Sequence, residues 1–188
     1  MKKQHKYRVI SLFSGAGGMD LGFINAGFEI VWANDFFKEA VESYKKNVDD
    51  RIVYGDITKI DSSEMPDDID LVIGGFPCQG FSVANTKRSM KDERNFLYKE
   101  MLRVIDDKKP KFFVAENVKG LLTANDGKAI ETIIKDFESI EPGYVVKPHL
   151  YNFAEYGVPQ FRERVLFVGI RIDTGFDFVH PKPTHGPN

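Results

Sequence analysis

Cys78 is the only cysteine of this 188-residue chain, and its surroundings are those of a reactive thiol. It follows a proline in the glycine-rich stretch 74–82, directly after the apolar run 71–73. A thiol becomes a nucleophile where positive neighbours favour its thiolate, and the following stretch supplies Lys87, Arg88, Lys91 and Arg94. The alternative is a buried structural cysteine, but a position between proline and Gln-Gly is atypical of a core. We therefore predict that Cys78 is an exposed nucleophile.

Glu116 is a carboxyl group that could assist such a thiol. It follows the apolar run 111–115 and is itself followed by Asn117. Because ligands of open α/β sheets bind at the carboxyl ends of the strands, we expect Glu116 and Cys78 to meet at one edge of a sheet. They would then form a pair of acid and nucleophile. The alternative is that Glu116 and Asn117 only cap the next turn.

Two arginines precede and begin the last apolar run of the chain. Arg162 and Arg164 alternate along an extended segment, so their side chains should face the same side. A guanidinium group is well suited to hold carbonyl or phosphate oxygens. The alternative is a solvated strand edge on which Glu163 neutralises part of the charge.

Three glycines, Gly15, Gly17 and Gly18, separate the first predicted strand from a helix. Glycine allows positive φ and close approach of a ligand, and the N-terminus of the helix favours an anionic group. The spacing departs from the G-x-G-x-x-G dinucleotide fingerprint. An ordinary strand-to-helix turn is therefore an open alternative.

Asp35 ends the second predicted strand, where Rossmann-like folds place a carboxylate that binds ribose. A helix cap is the alternative, and one carboxylate could serve as both. Asp56 ends the third strand and could accept from an adenine amino group or be a solvated turn residue. Phe13 and Phe36 flank the same crevice and could pack on an adenine or belong to the core.

Short apolar runs alternate with helical patterns, which predicts βαβ units in an α/β fold. Predicted strands are 7–13, 29–33, 52–54, 70–74 and 111–115, with a closing antiparallel pair at 144–152 and 164–171. The first predicted helix follows the glycine turn and ends near residue 26. Three further helices are predicted at 37–47, 96–105 and 127–139. The sheet is expected to be mostly parallel. Residues 1–173 are predicted to form one domain, and 174–188, with three prolines and two glycines, a linker or tail.

Composition is that of a globular protein, with 42% apolar and 29% charged residues. The net charge of −2 does not by itself indicate a nucleic-acid partner, so such a function must depend on local cations. A single cysteine excludes an intramolecular disulfide, and no apolar run approaches the length of a membrane span, which together predict a cytoplasmic protein. The histidines have no cysteine partner at metal spacing, so no metal site is predicted; they are His5, His149, His180 and His185.

Six segments, taken in order, resemble the cytosine-5 DNA methyltransferase family. They are 13–18 (Phe-Ser-Gly-Ala-Gly-Gly), 34–35 (Asn-Asp), 55–57 (Gly-Asp-Ile), 75–82 (Gly-Phe-Pro-Cys-Gln-Gly-Phe-Ser), 116–118 (Glu-Asn-Val) and 160–164 (Gln-Phe-Arg-Glu-Arg). The likeness extends from residue 9 to about 171. It implies a Rossmann-like methyltransferase domain that uses S-adenosylmethionine and releases S-adenosylhomocysteine. By this resemblance the donor pocket is lined by Phe13, Gly15, Gly17, Asp35, Phe36, Asp56, Ile57 and Pro77.

The resemblance also implies a mechanism on a cytosine flipped out of the duplex. Cys78 would attack carbon 6 of the ring, and carbon 5 would take the methyl group. A protonated Glu116 would bond ring nitrogen 3, Arg164 would hold the ring carbonyl oxygen, and Arg162 would support the pocket. The loop 80–94 would close over the base. Expected DNA contacts are Gln79, Ser82, Lys87, Arg88, Lys91 and Arg94.

The family pattern continues with a target-recognition region, a further segment and a Gly-Asn-rich stretch that completes the donor pocket, none of which is found in this chain. We therefore expect either a truncated chain or one subunit of a split enzyme. The expected partners are double-stranded DNA and a C-terminal half or companion subunit that carries the recognition region. No membrane partner is expected, and a restriction-modification system is the expected setting.

Two other functions are open at this point. A tRNA cytosine-5 methyltransferase would share the chemistry, although the segment 79–82 (Gln-Gly-Phe-Ser) favours DNA. A non-catalytic, cofactor-binding subunit of a split methyltransferase is the other, although such a subunit would need neither Cys78 nor Glu116.

Overall fold

The computed structural model describes residues 6–77 and 97–186, and these residues form one seven-stranded sheet flanked by helices. The elements in chain order are β1 (Arg8–Leu12), α1 (Gly18–Asn25), β2 (Glu29–Asp35), α2 (Lys38–Asn47), β3 (Ile52–Tyr54), β4 (Leu71–Gly74), α3 (Leu97–Lys108), β5 (Phe112–Val118), α4 (Lys128–Glu138), β6 (Tyr144–Asn152) and β7 (Glu163–Arg171). The strand order is β3-β2-β1-β4-β5-β7-β6. β7 runs antiparallel to both of its neighbours, and the other pairs are parallel. The predicted α/β class and mostly parallel sheet are confirmed.

Apolar side chains separate into two layers, one on each face of the sheet. On one face, Val41 and Tyr44 of α2 pack against Val9 and Ile30 of the sheet. On the other face, the residues of α3 and α4 form the larger core cluster. In α4 the buried residues Ala129, Ile133 and Phe137 recur every four positions, so one stripe of the helix faces the sheet. The alternation of strands and amphipathic helices thus produces a three-layer domain.

The strand order reverses beside β1, which has β2 on one side and β4 on the other. In open α/β sheets such a switch point leaves a crevice at the carboxyl ends of the two strands, where ligands bind. Here those ends are Leu12 and Gly74, which lie opposite each other in the register. A ligand-binding crevice is therefore expected beside the residues that follow Leu12 and Gly74.

The antiparallel part of the sheet is fixed by a close contact between β5 and β7. Phe113 of β5 lies opposite Gly169 of β7, and a Cβ on Gly169 would come within 1.9 Å of the Phe113 ring. That ring also stacks on Phe137 of α4, with 4.5 Å between centroids. Since only glycine leaves room for the ring, this contact sets the register that places Val118 opposite Arg164.

Several predicted boundaries need correction. β1 ends at Leu12 rather than at 13, because Phe13 adopts a φ of 54°. β2 continues to Asp35 because its last residue pairs with Tyr54 of β3. β5 continues to Val118 because β7 pairs with it that far, so Glu116 lies inside the strand instead of after it. α3 runs on to Lys108, past the predicted end.

The segment predicted as a tail packs along β6 in its described part. The backbone N–H groups of Thr184 and His185 both donate to the carbonyl oxygen of Glu155, at 2.9 Å. Tyr151 Oη lies 2.6 Å from His180 Nδ1, and Tyr156 Oη donates to the Pro181 carbonyl oxygen at 2.9 Å. The sequence signalled only the irregular backbone of this segment. Within the described ranges, no helix combines the length and apolarity needed to cross a membrane.

Candidate active site

The loop after β1 begins with a strained residue. Phe13 has a φ of 54°, a conformation that bulky residues rarely adopt, and strain of this kind clusters at functional sites. Gly17 follows with a φ of 89°, and a Cβ there would lie 2.6 Å from Val48 and 2.9 Å from Tyr44. Glycine is needed at position 17 for two reasons, its φ and the contact with α2. The loop therefore lies close against the end of α2 and keeps a defined shape.

Asp35 connects this loop to the next one. Its Oδ2 accepts from the Gly15 N–H at 2.7 Å, and its Oδ1 accepts from the Phe37 N–H at 2.8 Å. The side chain is buried at the end of β2. Both oxygens thus hold backbone at the entrance of the crevice. The contact with Phe37 is not the predicted helix cap, because the N-cap of α2 is Phe37 itself and no side chain caps the helix; the ribose-binding role stays a prediction.

A cavity of about 490–530 Å³ lies on each side of Phe13. The larger one is bounded by the ends of β1, β2 and β3, and we call it the nucleoside cavity. Its lining includes six of the predicted donor-binding residues, Phe13, Asp35, Phe36, Asp56, Ile57 and Pro77. Aromatic faces and carboxylates around one cavity suit the base and the hydroxyl and amino groups of a purine nucleoside.

Asp56 is partly engaged in local structure. Its Oδ1 accepts from the backbone N–H of Thr58 at 3.1 Å and from the Thr58 hydroxyl at 2.8 Å. These bonds cap the short turn Ile57–Lys59. The carboxylate therefore fixes the turn that carries Ile57 into the cavity, whichever further bond it makes.

Three residues of the nucleoside cavity lie outside every segment that the sequence singled out, Phe37, Thr58 and Leu97. Phe37 stands directly after two predicted residues and packs edge-to-face on Phe36, with 5.6 Å between centroids. Its adjacency was a usable signal. Leu97 begins α3 and reaches the cavity only through the tertiary fold, so no local signal could have identified it.

The second cavity, which we call the charged cavity, adjoins the first because Phe13 and Gly75 line both. It extends from the loop after β1 to Glu116 of β5 and Arg162. Gly15 and Gly17 line neither cavity; Gly17 instead packs on α2. Among residues 6–77 and 97–186, no group of three His, Cys, Asp or Glu side chains is placed to hold a metal ion.

Glu116 and Arg164 form an ion pair at the edge of the charged cavity. Arg164 Nε lies 2.7 Å from Glu116 Oε1, and each side chain is about one-fifth exposed. Arg164 also donates through Nη1 to the Glu163 carbonyl oxygen at 2.8 Å. Glu116 is held by Arg164, and Arg164 is held by Glu116 and by the Glu163 carbonyl oxygen. The orientation of both side chains is therefore defined without a ligand. Arg162 lines the same cavity, so the structure brings both predicted arginines to Glu116.

The segment that leads to Cys78 is anchored to this pair. A Cβ on Gly75 would lie 3.1 Å from Glu116 Oε2, so glycine permits the close approach of the two segments. Asn117 Nδ2 donates to the Phe76 carbonyl oxygen at 3.0 Å and is buried. Pro77, the residue before Cys78, lines the nucleoside cavity. Cys78 and the predicted DNA contacts Gln79, Ser82, Lys87, Arg88, Lys91 and Arg94 lie outside the described residues, and their roles stay predictions.

A buried acid that sequence reasoning passed over, Asp20, also lines the charged cavity. It is fully buried, and its two oxygens accept from Ser11 Oγ and Tyr44 Oη, each at 2.7 Å. Burial raises the pKa of the Asp20 carboxyl, although these two hydrogen bonds oppose the rise. An acidic residue in the first turn of a helix is common for electrostatic reasons, which is why the sequence alone did not single it out.

Comparison with known proteins gives a consistent result. The family described as "C-5 cytosine-specific DNA methylase" matches residues 7–187. The type II methyltransferase M.NgoFVII of Neisseria gonorrhoeae is 59% identical over 96% of this chain and 48% of its own length. M.FnuDI of Fusobacterium nucleatum is 48% identical over 93% of this chain and 51% of its own length. This chain thus spans about half the length of these curated relatives.

M.AquIA, a type II methyltransferase of Picosynechococcus sp., differs in coverage. It is 44% identical over 96% of this chain, and the match takes in 78% of M.AquIA itself. Among solved structures, a protein of an E. coli prophage described as a DNA modification methyltransferase has a TM-score of 0.78 at 29% identity, over 93% of this chain and 49% of that one. The Dnmt2 methyltransferase of S. pombe has a TM-score of 0.70 at 23% identity, over 93% of this chain and 53% of its own, and shares the fold.

Proposed function

Because this chain belongs to the C-5 cytosine-specific DNA methylase family, we propose that it is the catalytic and donor-binding part of an enzyme that methylates carbon 5 of cytosine in double-stranded DNA. The observation that carries the proposal is the ion pair of Glu116 and Arg164. It lies beside Gly75, three residues before the only cysteine. An acid and a guanidinium group thereby meet beside the segment that leads to Cys78.

The described residues fit S-adenosylmethionine as the donor. The nucleoside cavity offers Phe13 and Phe36 for the adenine and Asp35 and Asp56 for polar groups of the nucleoside. S-adenosylmethionine, when bound, supplies the methyl group that carbon 5 takes and leaves as S-adenosylhomocysteine. The strained Phe13 separates the nucleoside from the charged cavity, so it sets where one half of the donor ends and the other begins.

The proposed chemistry begins on a cytosine that has left the base stack, since its ring is unreachable inside the duplex. The thiolate of Cys78 forms a bond to carbon 6, and the ring electron pair moves toward carbon 5. Glu116 holds ring nitrogen 3 and Arg164 the ring carbonyl oxygen, which stabilises the charge that develops there. After methylation a base removes the proton of carbon 5, the carbon–sulfur bond breaks, and the thiolate of Cys78 is restored.

Arg162 and the buried Asn117 would support this chemistry without taking part in it. Arg162 lines the charged cavity next to Glu116 and adds positive charge there. Asn117 fixes the backbone of Phe76, two residues before Cys78. Both groups limit the movement of the reacting residues. Holding reacting groups in the correct geometry can raise the reaction rate by several factors of ten.

Recognition of a DNA sequence is proposed to lie in a C-terminal half or companion subunit. The relatives M.NgoFVII and M.FnuDI have about as much again of their length outside the match. In this chain, the cations of the 79–94 stretch, Lys87, Arg88, Lys91 and Arg94, would contact phosphates, which position DNA without reading its sequence. A type II restriction-modification system is the proposed setting, and the cytoplasm, where such DNA is found, the proposed location.

Two other functions are less supported. The Dnmt2 methyltransferase, at 23% identity, shares only the fold, so its likeness does not argue for any particular substrate. The relatives at higher identity are named type II methyltransferases. A cofactor-binding subunit without catalysis would have no need of the oriented Glu116 or of Cys78.

Transfer of tritiated methyl groups from S-adenosylmethionine tests the proposed function. The chain, supplied with a C-terminal half or companion subunit where one is required, is given duplex DNA of mixed sequence or tRNA, and the products are digested to nucleosides. We expect label in 5-methylcytosine from DNA. Label in N4-methylcytosine or N6-methyladenine, or label in tRNA alone, would contradict the proposal.

A further inference from the structure

A buried network of hydroxyl groups surrounds Asp20 behind the loop that follows β1. Tyr44 Oη donates to Asp20 Oδ2 and Ser11 Oγ donates to Asp20 Oδ1, each at 2.7 Å. Ser14 Oγ donates in turn to Ser11 Oγ at 2.9 Å. Both carboxyl oxygens thus accept hydrogen bonds, which is the arrangement that suits a carboxylate anion.

This network reaches the wall of the charged cavity. Ser11, Ser14 and Asp20 all line that cavity, and Ser14 belongs to the loop itself. Tyr44 has a second contact, since its ring lies against Gly17 at the other end of the loop. A change at Asp20 is therefore transmitted to the loop at two places, through Ser14 and through Tyr44.

The carboxylate has no cation beside it in the described part of the chain. The charged neighbour that influences it is Asp49, whose negative charge acts in the same direction as burial and raises the pKa of Asp20. A buried anion that is not paired is costly, and a cation that enters the adjoining cavity would offset this cost. Arg162 is a cation that lines the same cavity near Glu116, so a positive ligand is favoured on the Asp20 side of the charged cavity.

We propose that Asp20 is a positioning residue for the cationic end of S-adenosylmethionine, acting through Ser11 and Ser14. This inference rests on the proposed function. If the adenosine occupies the nucleoside cavity, the remainder of the donor passes Phe13 and Gly75, which both cavities share, and enters the charged cavity. That remainder carries the sulfonium and ammonium charges and one carboxylate, so its net charge is positive. The negative charge of Asp20 attracts this end, and the serine hydroxyls keep the loop in position around it.

The competing explanation is that Asp20 only joins α1 to α2. Ligands of different charge separate the two explanations. S-adenosylmethionine has a net positive charge because its sulfonium group adds to an ammonium and a carboxylate that cancel. S-adenosylhomocysteine keeps only the cancelling ammonium and carboxylate pair, and 5′-methylthioadenosine has no charged group. Loss of a structural contact lowers affinity for all three alike. Loss of a negative charge lowers affinity most for the net positive S-adenosylmethionine, less for the zwitterionic S-adenosylhomocysteine and least for the uncharged 5′-methylthioadenosine.

The test is calorimetric binding of these three ligands to the complete protein and to its Asp20→Asn variant. We expect affinity for S-adenosylmethionine to fall about ten-fold, that for S-adenosylhomocysteine to fall less, and that for 5′-methylthioadenosine to change less than about two-fold. Equal losses for the three ligands, or no loss, would overturn the inference. If the unaltered protein fails to bind S-adenosylmethionine, the proposed function fails together with the inference.

Three further variants secure the interpretation. Ser11→Ala removes the hydroxyl link and keeps the charge, so it should weaken the binding of S-adenosylmethionine by about three-fold and serves if Asp20→Asn does not fold. Tyr44→Phe keeps both the charge and the ring beside Gly17, and a smaller loss than with Asp20→Asn is expected. Asp136→Asn is the matched control, because Asp136 accepts from Tyr98 Oη at 2.8 Å on a distant helix. A change in ligand discrimination with Asp136→Asn equal to that with Asp20→Asn would also overturn the inference.

Discussion

The parallel and antiparallel halves of the sheet build the site in different ways. In the parallel half, β1 to β4, the site residues stand at strand ends and short loops hold them, as where Asp35 bonds Gly15 and Phe37. In the antiparallel half, Glu116 and Arg164 are distant in sequence and meet because β5 and β7 pair in one register. Local motifs thus define the donor side, whereas the pairing of distant strands defines the side that would hold the base.

This difference has a functional consequence. Substitutions in the loops of the parallel half should change donor binding, and substitutions in the antiparallel half should change methyl transfer at constant donor binding. The variants below test that separation in order of decreasing effect.

Cys78→Ser should produce the largest effect. An alcohol is a much weaker nucleophile than a thiolate at neutral pH, so methyl transfer should become undetectable. Donor affinity, measured by calorimetry, should stay within about two-fold of the unaltered value because the substitution is nearly isosteric. Transfer that survives this substitution would show that Cys78 is not the nucleophile.

Glu116→Gln should reduce methyl transfer by about 10²–10⁴-fold, the range for a group that donates or holds a proton in the transition state. Donor affinity should change by less than about two-fold, since Glu116 does not line the nucleoside cavity and its charge is already paired with Arg164. Single-turnover kinetics and calorimetry measure the two quantities. The matched control is Glu163→Gln. Glu163 directly precedes Arg164 in the sequence, and its carboxylate pairs with the exposed Lys119. If Glu163→Gln slowed methyl transfer as much as Glu116→Gln does, the loss of any negative charge near Arg164 would explain the effect, and Glu116 would have no specific role.

Asp35→Ala should weaken donor binding by about 1–3 kcal/mol, because the N–H groups of Gly15 and Phe37 lose the acceptor that holds both segments at the entrance of the crevice. The rate of transfer at saturating donor should change much less. Asp61→Ala is a suitable control, since Asp61 caps a short surface turn by accepting from the Ser63 N–H. Donor affinity in Asp35→Ala that equals the unaltered value would remove Asp35 from the donor site.

Gly169→Ala tests the antiparallel half from within the core. The added methyl group would overlap the Phe113 ring, so the variant should lose about 1–3 kcal/mol of unfolding free energy in urea. Movement of β7 should also displace Arg164 and slow transfer while donor affinity stays constant. Gly120→Ala, where an added Cβ meets no atom within 4 Å, is the control. A loss of donor affinity equal to the loss of transfer in Gly169→Ala would show that the two halves do not act separately.

The smallest effect concerns the charge of Asp20. Because burial raises the pKa of Asp20 in the folded chain, the folded state binds more protons than the unfolded state between the two pKa values. Stability contributed by this group therefore falls as pH rises toward the folded pKa. Asp20→Asn should lack that fall and should unfold, near neutral pH, at an unchanged or slightly higher temperature. A clear decrease in the unfolding temperature would indicate that the carboxylate stabilises the fold.

Much of the parallel half could be predicted from the sequence. Glycine at 15 and 17, carboxylates at 35 and 56 and phenylalanines at 13 and 36 stand at fixed distances from apolar runs, so their position at one sheet edge follows from chain order. Ser11 and Asp20 could not be identified in this way. Their meeting depends on how α1 packs on β1, and each residue type has common local roles of its own.

Less of the antiparallel half could be predicted. The sequence indicated that Arg162 and Arg164 face one side and that the last two strands pair, but not that β7 inserts between β5 and β6. The extension of β5 to Val118 was also missed, because it results from pairing with β7 instead of from its own residues. The docking of 175–186 along β6 depends on single contacts such as Tyr156 to Pro181, which no periodic pattern reports.

The proposed mechanism depends most directly on a covalent bond between Cys78 and the target base. Duplex DNA that contains 5-fluorocytosine traps this state, because carbon 5 then carries fluorine and the final loss of a proton cannot occur. The complete protein would be incubated with this DNA and S-adenosylmethionine, digested, and analysed by mass spectrometry. The mechanism predicts an adduct of one methylated fluorocytosine on Cys78, absent from Glu116→Gln over the same time. Methyl transfer to ordinary DNA without any adduct on Cys78, or an adduct on another residue, would contradict it.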